Sequence, residues 1–263
     1  MKKCFKVGFP LVLECDGSFF IRFERDGEGS LEFNRGMYYL CGENGAGKTT
    51  FVNMLALIAG RIGEQADKDR GSIWFDGKAY NGQGFDYIKA AEIREKSFCI
   101  FPQKAFFLPI STRDNYIILN GSDSKKADSF SSREYPDLLS GGQQQKILMD
   151  IVLDEKKPVW FLDEPLSNMD SERRHYFWNT LDRAFKKRLR TAFFIDHWMD
   201  QAIRDDEDFR HHCTLRVCME NRWNGKTLDT LTKEIEIYEN YSPEEFFSKQ
   251  TRKIEDEKDN KDH

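Results

Sequence analysis

The segment CGENGAGKTT, at residues 41–50, places three glycines, an asparagine and a lysine between an apolar strand and an apolar helix. Glycine at such positions costs about 1 kcal/mol relative to alanine, so it needs a compensating use. The spacing of Gly42, Gly47, Lys48 and Thr49 matches the phosphate-binding pattern G-x-x-x-x-G-K-[ST] in its usual strand-to-helix context. A glycine-rich turn with a coincidental lysine is the alternative explanation, but it does not account for the apolar strand before the loop and the apolar helix after it.

A phosphate loop of this kind binds an anion through converging backbone N–H groups at a helix N-terminus. Lys48 is expected to reach the terminal phosphates, and the Thr49 hydroxyl is expected to bind Mg²⁺. We therefore predict a nucleotide site formed by Gly42, Glu43, Asn44, Gly45, Ala46, Gly47, Lys48, Thr49 and Thr50. The loop alone leaves kinase, GTPase and ATPase open.

The segment VWFLDEP ends an apolar strand, predicted over residues 158–163, with two acidic residues. The strand does not alternate, so we expect it to be buried on both faces of a parallel sheet. Open α/β sheets bind ligands at the carboxyl ends of such strands. Asp163 is then expected to hold magnesium and Glu164 to act as general base, against the alternative of a solvated acidic pair.

Composition excludes several classes of protein. A net charge of −5 and a pI near 5.7 are opposite to the charge of a dedicated nucleic-acid binder, so no direct nucleic-acid contact is expected. The longest apolar runs are far shorter than the roughly 20 residues that span a bilayer. The first residues show no cleavable leader pattern and indicate a cytoplasmic protein. The scattered cysteines and the residues 211–218 fit no zinc pattern.

The remaining elements describe an α/β protein with an antiparallel flank. We predict antiparallel strands over residues 7–33, a strand over 37–42, a helix that ends at Gly60, and a hairpin over 71–80 that turns at Asp76 and Gly77. Further strands are expected at 97–103 and 191–196, helices at 142–153 and 171–189, and a hairpin at 215–228 that turns at residues 224–225. The charged tail at 250–263 is expected to be disordered.

The octet LSGGQQQK, at residues 139–146, precedes FLDEP by about twenty residues, and with the two motifs above it resembles the signature of the ATP-binding cassette (ABC) ATPases. The resemblance covers about residues 36–197. It implies a P-loop NTPase fold in one domain over residues 1–249. That domain would have a RecA-like core, an antiparallel β subdomain and a short helical subdomain at about 104–156. It also implies a head-to-tail dimer, homomeric or of two different cassettes, that encloses two ATP molecules.

The resemblance also implies roles for residues outside the phosphate loop. Ser140, Gly141, Gly142 and Gln143 would meet the ATP held by the other subunit. Gln103 matches the glutamine that senses magnesium and the attacking water, Asp170 matches the D-loop aspartate, and His197 matches the switch histidine. An aromatic residue commonly stacks on adenine, and either Phe20 or its neighbour Phe19 is at a suitable distance upstream. The catalytic set would then be Glu164, His197, Gln103 and Lys48, with metal ligands Thr49, Gln103 and Asp163.

Three departures from the family pattern are visible. The stretch between Gln103 and Leu139 is shorter than usual, Asn168 replaces a small residue, and Asp196 precedes His197 where a hydroxyl residue is more common. None removes a catalytic group.

Two functions remain open at this point. The first is the ATP-binding subunit of a transport or membrane-remodelling complex, peripheral on the inner face of the cell membrane through a separate multi-span permease. Residues 106–116 resemble the segment that receives such a partner. The second is a soluble ABC ATPase acting on nucleic acid or the ribosome. Such proteins usually carry a long heptad insertion, paired cassettes or zinc-binding cysteines, and the sequence contains no such feature.

Overall fold

The computed structural model describes residues 5–14, 20–25, 30–34, 36–42, 44–58, 73–80, 87–103, 105–120, 125–154, 157–167, 169–187, 191–196, 215–222 and 230–240. Several predictions fall outside these residues. They concern Glu43, Gly60, Asn168, His197, the residues His211 to Cys213, the turn at residues 224–225 and the tail at 250–263.

The described residues form strands and helices in the following order. The strands are β1 (Phe5–Gly8), β2 (Leu11–Glu14), β3 (Phe20–Arg25), β4 (Ser30–Phe33), β5 (Gly36–Gly42), β6 (Ile73–Phe75), β7 (Lys78–Ala79), β8 (Phe98–Phe101), β9 (Val159–Asp163), β10 (Thr191–Ile195), β11 (Leu215–Arg222) and β12 (Thr230–Asn240). The helices are α1 (Lys48–Leu55), α2 (Tyr87–Ser97), α3 (Thr112–Asn120), α4 (Gly141–Asp154) and α5 (Ser171–Lys187), with 3₁₀ turns at Lys125–Ser129 and Pro136–Leu138.

An eight-stranded sheet carries the strands that end in the predicted motifs. Its order is β2-β3-β12-β11-β5-β10-β9-β8, and the strands from β11 to β8 are parallel. Every residue of β9 and of β10 is buried, which confirms that these apolar strands are covered on both faces. Because β5 and β9 both lie beside β10 and point the same way, the phosphate loop and the pair Asp163 and Glu164 emerge at one edge of the sheet.

A smaller antiparallel sheet, of order β4-β1-β6-β7, packs on this core. Its hairpin turns at Asp76 and Gly77, whose φ angles of 48° and 82° are those of a tight hairpin turn, as predicted. The antiparallel strands predicted over residues 7–33 divide between the two sheets. The pair β1 and β4 lies in the small sheet, whereas β2 and β3 extend the large one because β3 pairs with the distant β12.

Aromatic rings fill the space between the two sheets. Phe5 of β1 contacts the rings of Phe161 and Phe193 edge-on, and those two rings stack on each other with centroids 5.2 Å apart. A second core, on the other face of the large sheet, buries Trp160, Leu162 and Phe194 against residues of α4 and α5. The sheet strands that position the site are thus fixed from both sides.

Helix α1 is shorter than predicted. It ends at Leu55, and Leu57 then adopts a left-handed φ of 58°, so the chain leaves the helix before it reaches Gly60. Helix α2, which was not predicted, packs Ala90 into the main core while Tyr87 and Ile88 remain exposed. Its apolar residues are too few to produce a helical pattern in the sequence.

The helical part between β8 and β9 has a small core of its own, formed by Tyr116, Ala127 and Ile151. Phe107 packs against this core, but Phe106 is 77% exposed, so the two neighbouring phenylalanines divide between the interior and the surface. None of the helices in the described part of the chain combines the length and the apolar character needed to cross a bilayer.

Candidate nucleotide-binding site

The loop between β5 and α1 depends on the backbone freedom of glycine. Gly45 and Gly47 have φ angles of 78° and 98°, a left-handed conformation that residues with a Cβ adopt at a cost on the order of 1 kcal/mol. Gly47 is the N-cap of α1, and its carbonyl accepts the N–H of Phe51 at 2.8 Å. The loop therefore leads directly into a helix whose N-terminal N–H groups face the same space as the loop.

Lys48 is folded over this loop. Its side chain is 8% exposed in the folded chain, and its ammonium donates to the carbonyl of Gly42 at 2.6 Å. This hydrogen bond holds the positively charged ammonium of Lys48 at the opening of the loop. A phosphate bound to the loop N–H groups is then within reach of that charge without a rearrangement of the backbone.

Thr49 and Asp163 connect the loop to the end of β9. The Thr49 hydroxyl donates to the Asp163 carboxylate at 2.9 Å, and Asp163 is itself buried. A hydroxyl and a carboxylate oxygen at this separation are hard donors of the type that Mg²⁺ prefers. Two of the three residues predicted as metal ligands, Thr49 and Asp163, thus lie together beside the phosphate loop, and the third, Gln103, is hydrogen-bonded to Glu164.

Glu164 has a left-handed backbone, with φ of 51°. For a residue with a long side chain this costs on the order of 1 kcal/mol, so the surrounding contacts must hold it. The N–H of Glu164 donates to the carbonyl of Ile195 at 2.7 Å, and its own carbonyl accepts the hydroxyl of Ser167 at 2.8 Å. This turn directs the carboxylate toward the amide of Gln103, which donates to it at 3.0 Å.

A cavity of about 430 Å³ lies at this edge of the sheet. Its lining is Asn44, Gly45, Ala46, Gly47, Lys48, Thr49, Thr50, Gln103, Glu164 and Ile195. Gln103 and Glu164 are far from the phosphate loop in the sequence, yet both line this one space with it. Ser140, Gly141, Gly142, Gln143 and Asp170 are described but are not among the lining residues.

The start of α4 is built as a capped helix N-terminus. Both the N–H and the hydroxyl of Ser140 donate to the side-chain oxygen of Gln143, each at 3.0 Å, in one half of a capping box. Gly141 and Gly142 are exposed, and a Cβ on either would meet no atom of the chain within 4 Å. The helix start thus presents bare backbone to the outside.

Asp170 caps another helix. Its carboxylate accepts the N–H of Arg173 at 2.8 Å at the start of α5 and forms an ion pair with the Arg173 side chain. Within this chain Asp170 has a structural role that the sequence prediction did not include.

A family profile described as ABC transporter matches residues 28–167, which is more than half of the chain. The chain belongs to the ABC transporter family. The energy-coupling factor transporter ATP-binding protein EcfA1 of Mesomycoplasma hyopneumoniae (strain J) is 31% identical over 68% of this chain and 67% of that protein. The thiamine import ATP-binding protein ThiQ of Vibrio vulnificus (strain YJ016) is 25% identical over 62% of this chain and 70% of that protein.

Solved structures have the same fold. A dimeric ATP-binding cassette in a post-hydrolysis state, bound to ADP and Pi, superposes with a TM-score of 0.61 over 81% of this chain and 93% of its own, at 17% identity. A second dimeric structure of the same bacterial ABC transporter cassette gives a TM-score of 0.63 over 89% of this chain and 98% of its own, at 16% identity. The predicted α/β fold with a P-loop core, an antiparallel β subdomain and a short helical subdomain is therefore confirmed.

In this ABC transporter-family chain, some predicted site residues lie outside the described part. Glu43 and His197 are among them, and of Phe20 only the backbone is described, at the first position of β3. Their predicted roles stay predictions.

The structure also places residues near the site that the sequence analysis did not select. Gln145 of α4 donates to the hydroxyl of Ser167 at 2.9 Å and to the carbonyl of Glu164 at 3.4 Å. Asp196 accepts the N–H of Leu166 at 2.9 Å. Gln145 belongs to the octet LSGGQQQK, and Asp196 is the last residue of the strand predicted over residues 191–196. Their positions in these segments were the signal that could have identified them from the sequence.

Proposed function

We propose that this chain is the ATP-binding and ATP-hydrolysing subunit of an ABC transporter-type membrane complex. The observation that carries the proposal is the cavity in which the phosphate loop, Gln103 and Glu164 face one another. A glycine loop alone binds phosphate in many reactions. The presence of a carboxylate and an amide across the cavity supports hydrolysis of the phosphoanhydride bond of a nucleotide bound there.

The triphosphate of ATP would lie along residues 42–50, with its terminal phosphates at the loop N–H groups and at Lys48. Thr49 and Asp163 would hold Mg²⁺, since their oxygens suit this ion and lie beside the phosphate loop. The ion supplies neutralisation of the charge that develops on the transferred phosphoryl group. Gln103, which lines the same cavity, would contact the water that attacks.

Glu164 would accept a proton from that water as its oxygen attacks the γ-phosphorus. The bond between the γ-phosphorus and the bridging oxygen breaks, and ADP and inorganic phosphate leave. In the structure the Glu164 carboxylate is hydrogen-bonded to the Gln103 amide. A carboxylate has two oxygens and about four lone pairs, so one hydrogen bond from the amide does not prevent it from accepting the proton.

The exposed start of α4 supports a composite site. Ser140, Gly141, Gly142 and Gln143 do not line the cavity of their own chain. The backbone N–H groups of Gly141, Gly142 and Gln143 nevertheless lie at a helix N-terminus of the kind that binds anions. We propose that they bind the γ-phosphate held by a second cassette, identical or related, in a head-to-tail dimer. Asp170, at the start of α5, would lie at the same interface.

Apolar residues exposed on the helical part support a protein partner. Phe106 is 77% exposed and Leu138 is 83% exposed, although large apolar side chains gain most when they are buried. The relatives above are named as ATP-binding proteins of transporters. We propose that a multi-span permease covers this surface and so holds the cytoplasmic chain at the inner face of the membrane.

Purification in mild detergent tests this function. We expect the chain to co-purify with a multi-span protein. The partner should raise its ATPase rate by about tenfold or more, because it would bring two cassettes together and so complete the proposed site. Phe106→Ser tests the exposed surface directly: this variant should weaken the association and leave ATP binding unchanged. Stimulation by DNA, RNA or ribosomes in place of the membrane partner would overturn the proposal in favour of the soluble alternative.

A further inference from the structure

The strained turn that carries Glu164 is held by neighbouring segments through hydrogen bonds. Two of its backbone N–H groups, those of Glu164 and Leu166, donate to the end of β10, one to the carbonyl of Ile195 at 2.7 Å and the other to the carboxylate of Asp196 at 2.9 Å. Pro165 lies between them and has no N–H to donate. The geometry of the turn therefore depends on what β10 presents at its end.

Asp196 is an unusual acceptor for this purpose. Its side chain is almost completely inside the protein, with the residue 2% exposed, and a buried carboxylate is retained only where hydrogen bonds or charges compensate its lost hydration. Its backbone carbonyl in turn accepts the hydroxyl of the buried Tyr39, from β5, at 2.7 Å. Asp196 thus connects β5, which leads into the phosphate loop, with the turn that begins at the proposed base, Glu164.

We propose that Asp196 is a positioning residue for ATP hydrolysis: it fixes the turn from Glu164 to Ser167 so that the Glu164 carboxylate faces the phosphate loop. This inference rests on the function proposed above. Asp196 is absent from the cavity lining, so it acts through Glu164 and not by contact with the nucleotide. Its removal should impair the chemical step far more than it impairs ATP binding.

Two substitutions separate the contribution of the acceptor from that of the volume. Asp196→Leu keeps the size and removes the acceptor, and we expect kcat to fall about tenfold or more while the Kd for ATP stays within about twofold of wild type. Asp196→Asn keeps a side-chain oxygen for the N–H of Leu166 and should retain most of the wild-type kcat. If the leucine variant does not fold, Asp196→Ser, whose hydroxyl is too short to replace the carboxylate, takes its place with the same expectation.

The control is Thr191→Val, at the opposite end of the same strand. Thr191 is fully buried, and its hydroxyl donates to the carbonyl of Asn34 at 3.0 Å, so the valine variant loses a buried bond about 16 Å from Asp196. It should lower thermal stability without changing kcat per folded molecule. A loss of kcat in both variants would show that any damage to β10 suffices, and the inference would fail.

A double-mutant cycle with Glu164→Gln distinguishes a positioning role of Asp196 from a general structural effect. Because Asp196 acts through Glu164, Asp196→Leu should cause little further loss in single-turnover rate once Glu164 is replaced. Additive losses would overturn the inference, as would an Asp196→Asn variant as impaired as the leucine one. If Glu164→Gln alone turns over at the wild-type rate, the proposed base is wrong, and that result is distinct from a failure of Asp196.

Discussion

Lys48 illustrates how a single side chain is prepared for a ligand. Its ammonium is held at the carbonyl of Gly42, so the positive charge is already at the mouth of the loop in the folded chain. Little side-chain entropy remains to be lost when a phosphate arrives, and affinity benefits from this preorganisation. The same lysine would stabilise negative charge on the phosphate during hydrolysis.

We predict that Lys48→Ala weakens ATP binding at least about tenfold, which corresponds to roughly 1.4 kcal/mol, because a charge-assisted contact to phosphate is removed. Isothermal titration calorimetry with ATP measures this. Lys96→Ala is the matched control, since Lys96 lies on the exposed face of α2 and pairs only loosely with Glu92 at 3.7 Å. Unchanged affinity in the Lys48 variant would contradict the assignment of the phosphate loop.

At the scale of elements, the sequence predicted best where a motif and a buried strand coincide. The strands β5, β9 and β10 were expected because their apolar runs are interrupted by no polar residue, and their ends carry residues that now line one cavity. The pairing of β3 with β12 was not predictable. It joins residues 20–25 to residues 230–235, and no local sequence pattern specifies which distant strand will pair with a given strand edge.

The site shows the same division. Glu164 was predicted from its position after a buried strand and Gln103 from its match to the family's glutamine, whereas Asp196 was noted only as a departure from the family pattern. Its use became visible when its partner, the N–H of Leu166, was placed beside it across the sheet. Backbone donors carry no signature in a sequence, so residues that bind them are the hardest to predict.

The start of α4 leads to a prediction of its own. A Cβ at Gly142 would meet no atom of the chain within 4 Å, so Gly142→Ala should leave thermal stability unchanged or raise it by up to about 1 kcal/mol through helix propensity. ATP binding to the monomer should persist. Turnover should nonetheless fall about tenfold or more, because in the proposed dimer the added methyl would lie where the second cassette brings its γ-phosphate.

Thermal melts, nucleotide titrations and ATPase rates together check this. Gly45→Ala provides the contrast, because Gly45 has a left-handed φ of 78° and its substitution should cost on the order of 1 kcal/mol within the monomer. Full ATPase activity in Gly142→Ala would show that the glycine does not face a ligand.

At the scale of the whole molecule, the two regions proposed to contact ATP are separate. The cavity holds the phosphate loop with Gln103 and Glu164, and the bare start of α4 is outside it. In the proposed dimer each site is completed only when two cassettes associate, so the oligomeric state should depend on the bound nucleotide.

We predict that Glu164→Gln slows turnover about a hundredfold, since the proton acceptor is lost, yet leaves ATP bound. The trapped nucleotide should then hold two chains together as a dimer that ADP does not support. Size-exclusion chromatography with light scattering, run with ATP and with ADP, distinguishes these states. A variant that remains monomeric with ATP at saturating concentration would contradict the composite site.

The place of β10 in the large sheet has a consequence for biosynthesis. This strand lies between β5 and β9, although both are made before it. In the nascent chain, β5 and β9 therefore each have an unpaired edge until β10 is inserted between them. This insertion requires that residue 195 has left the ribosome exit tunnel. Until then Phe161 of β9 lacks its stacking partner, Phe193. We therefore expect premature termination before this strand to yield a fragment that aggregates rather than a smaller ATP-binding unit.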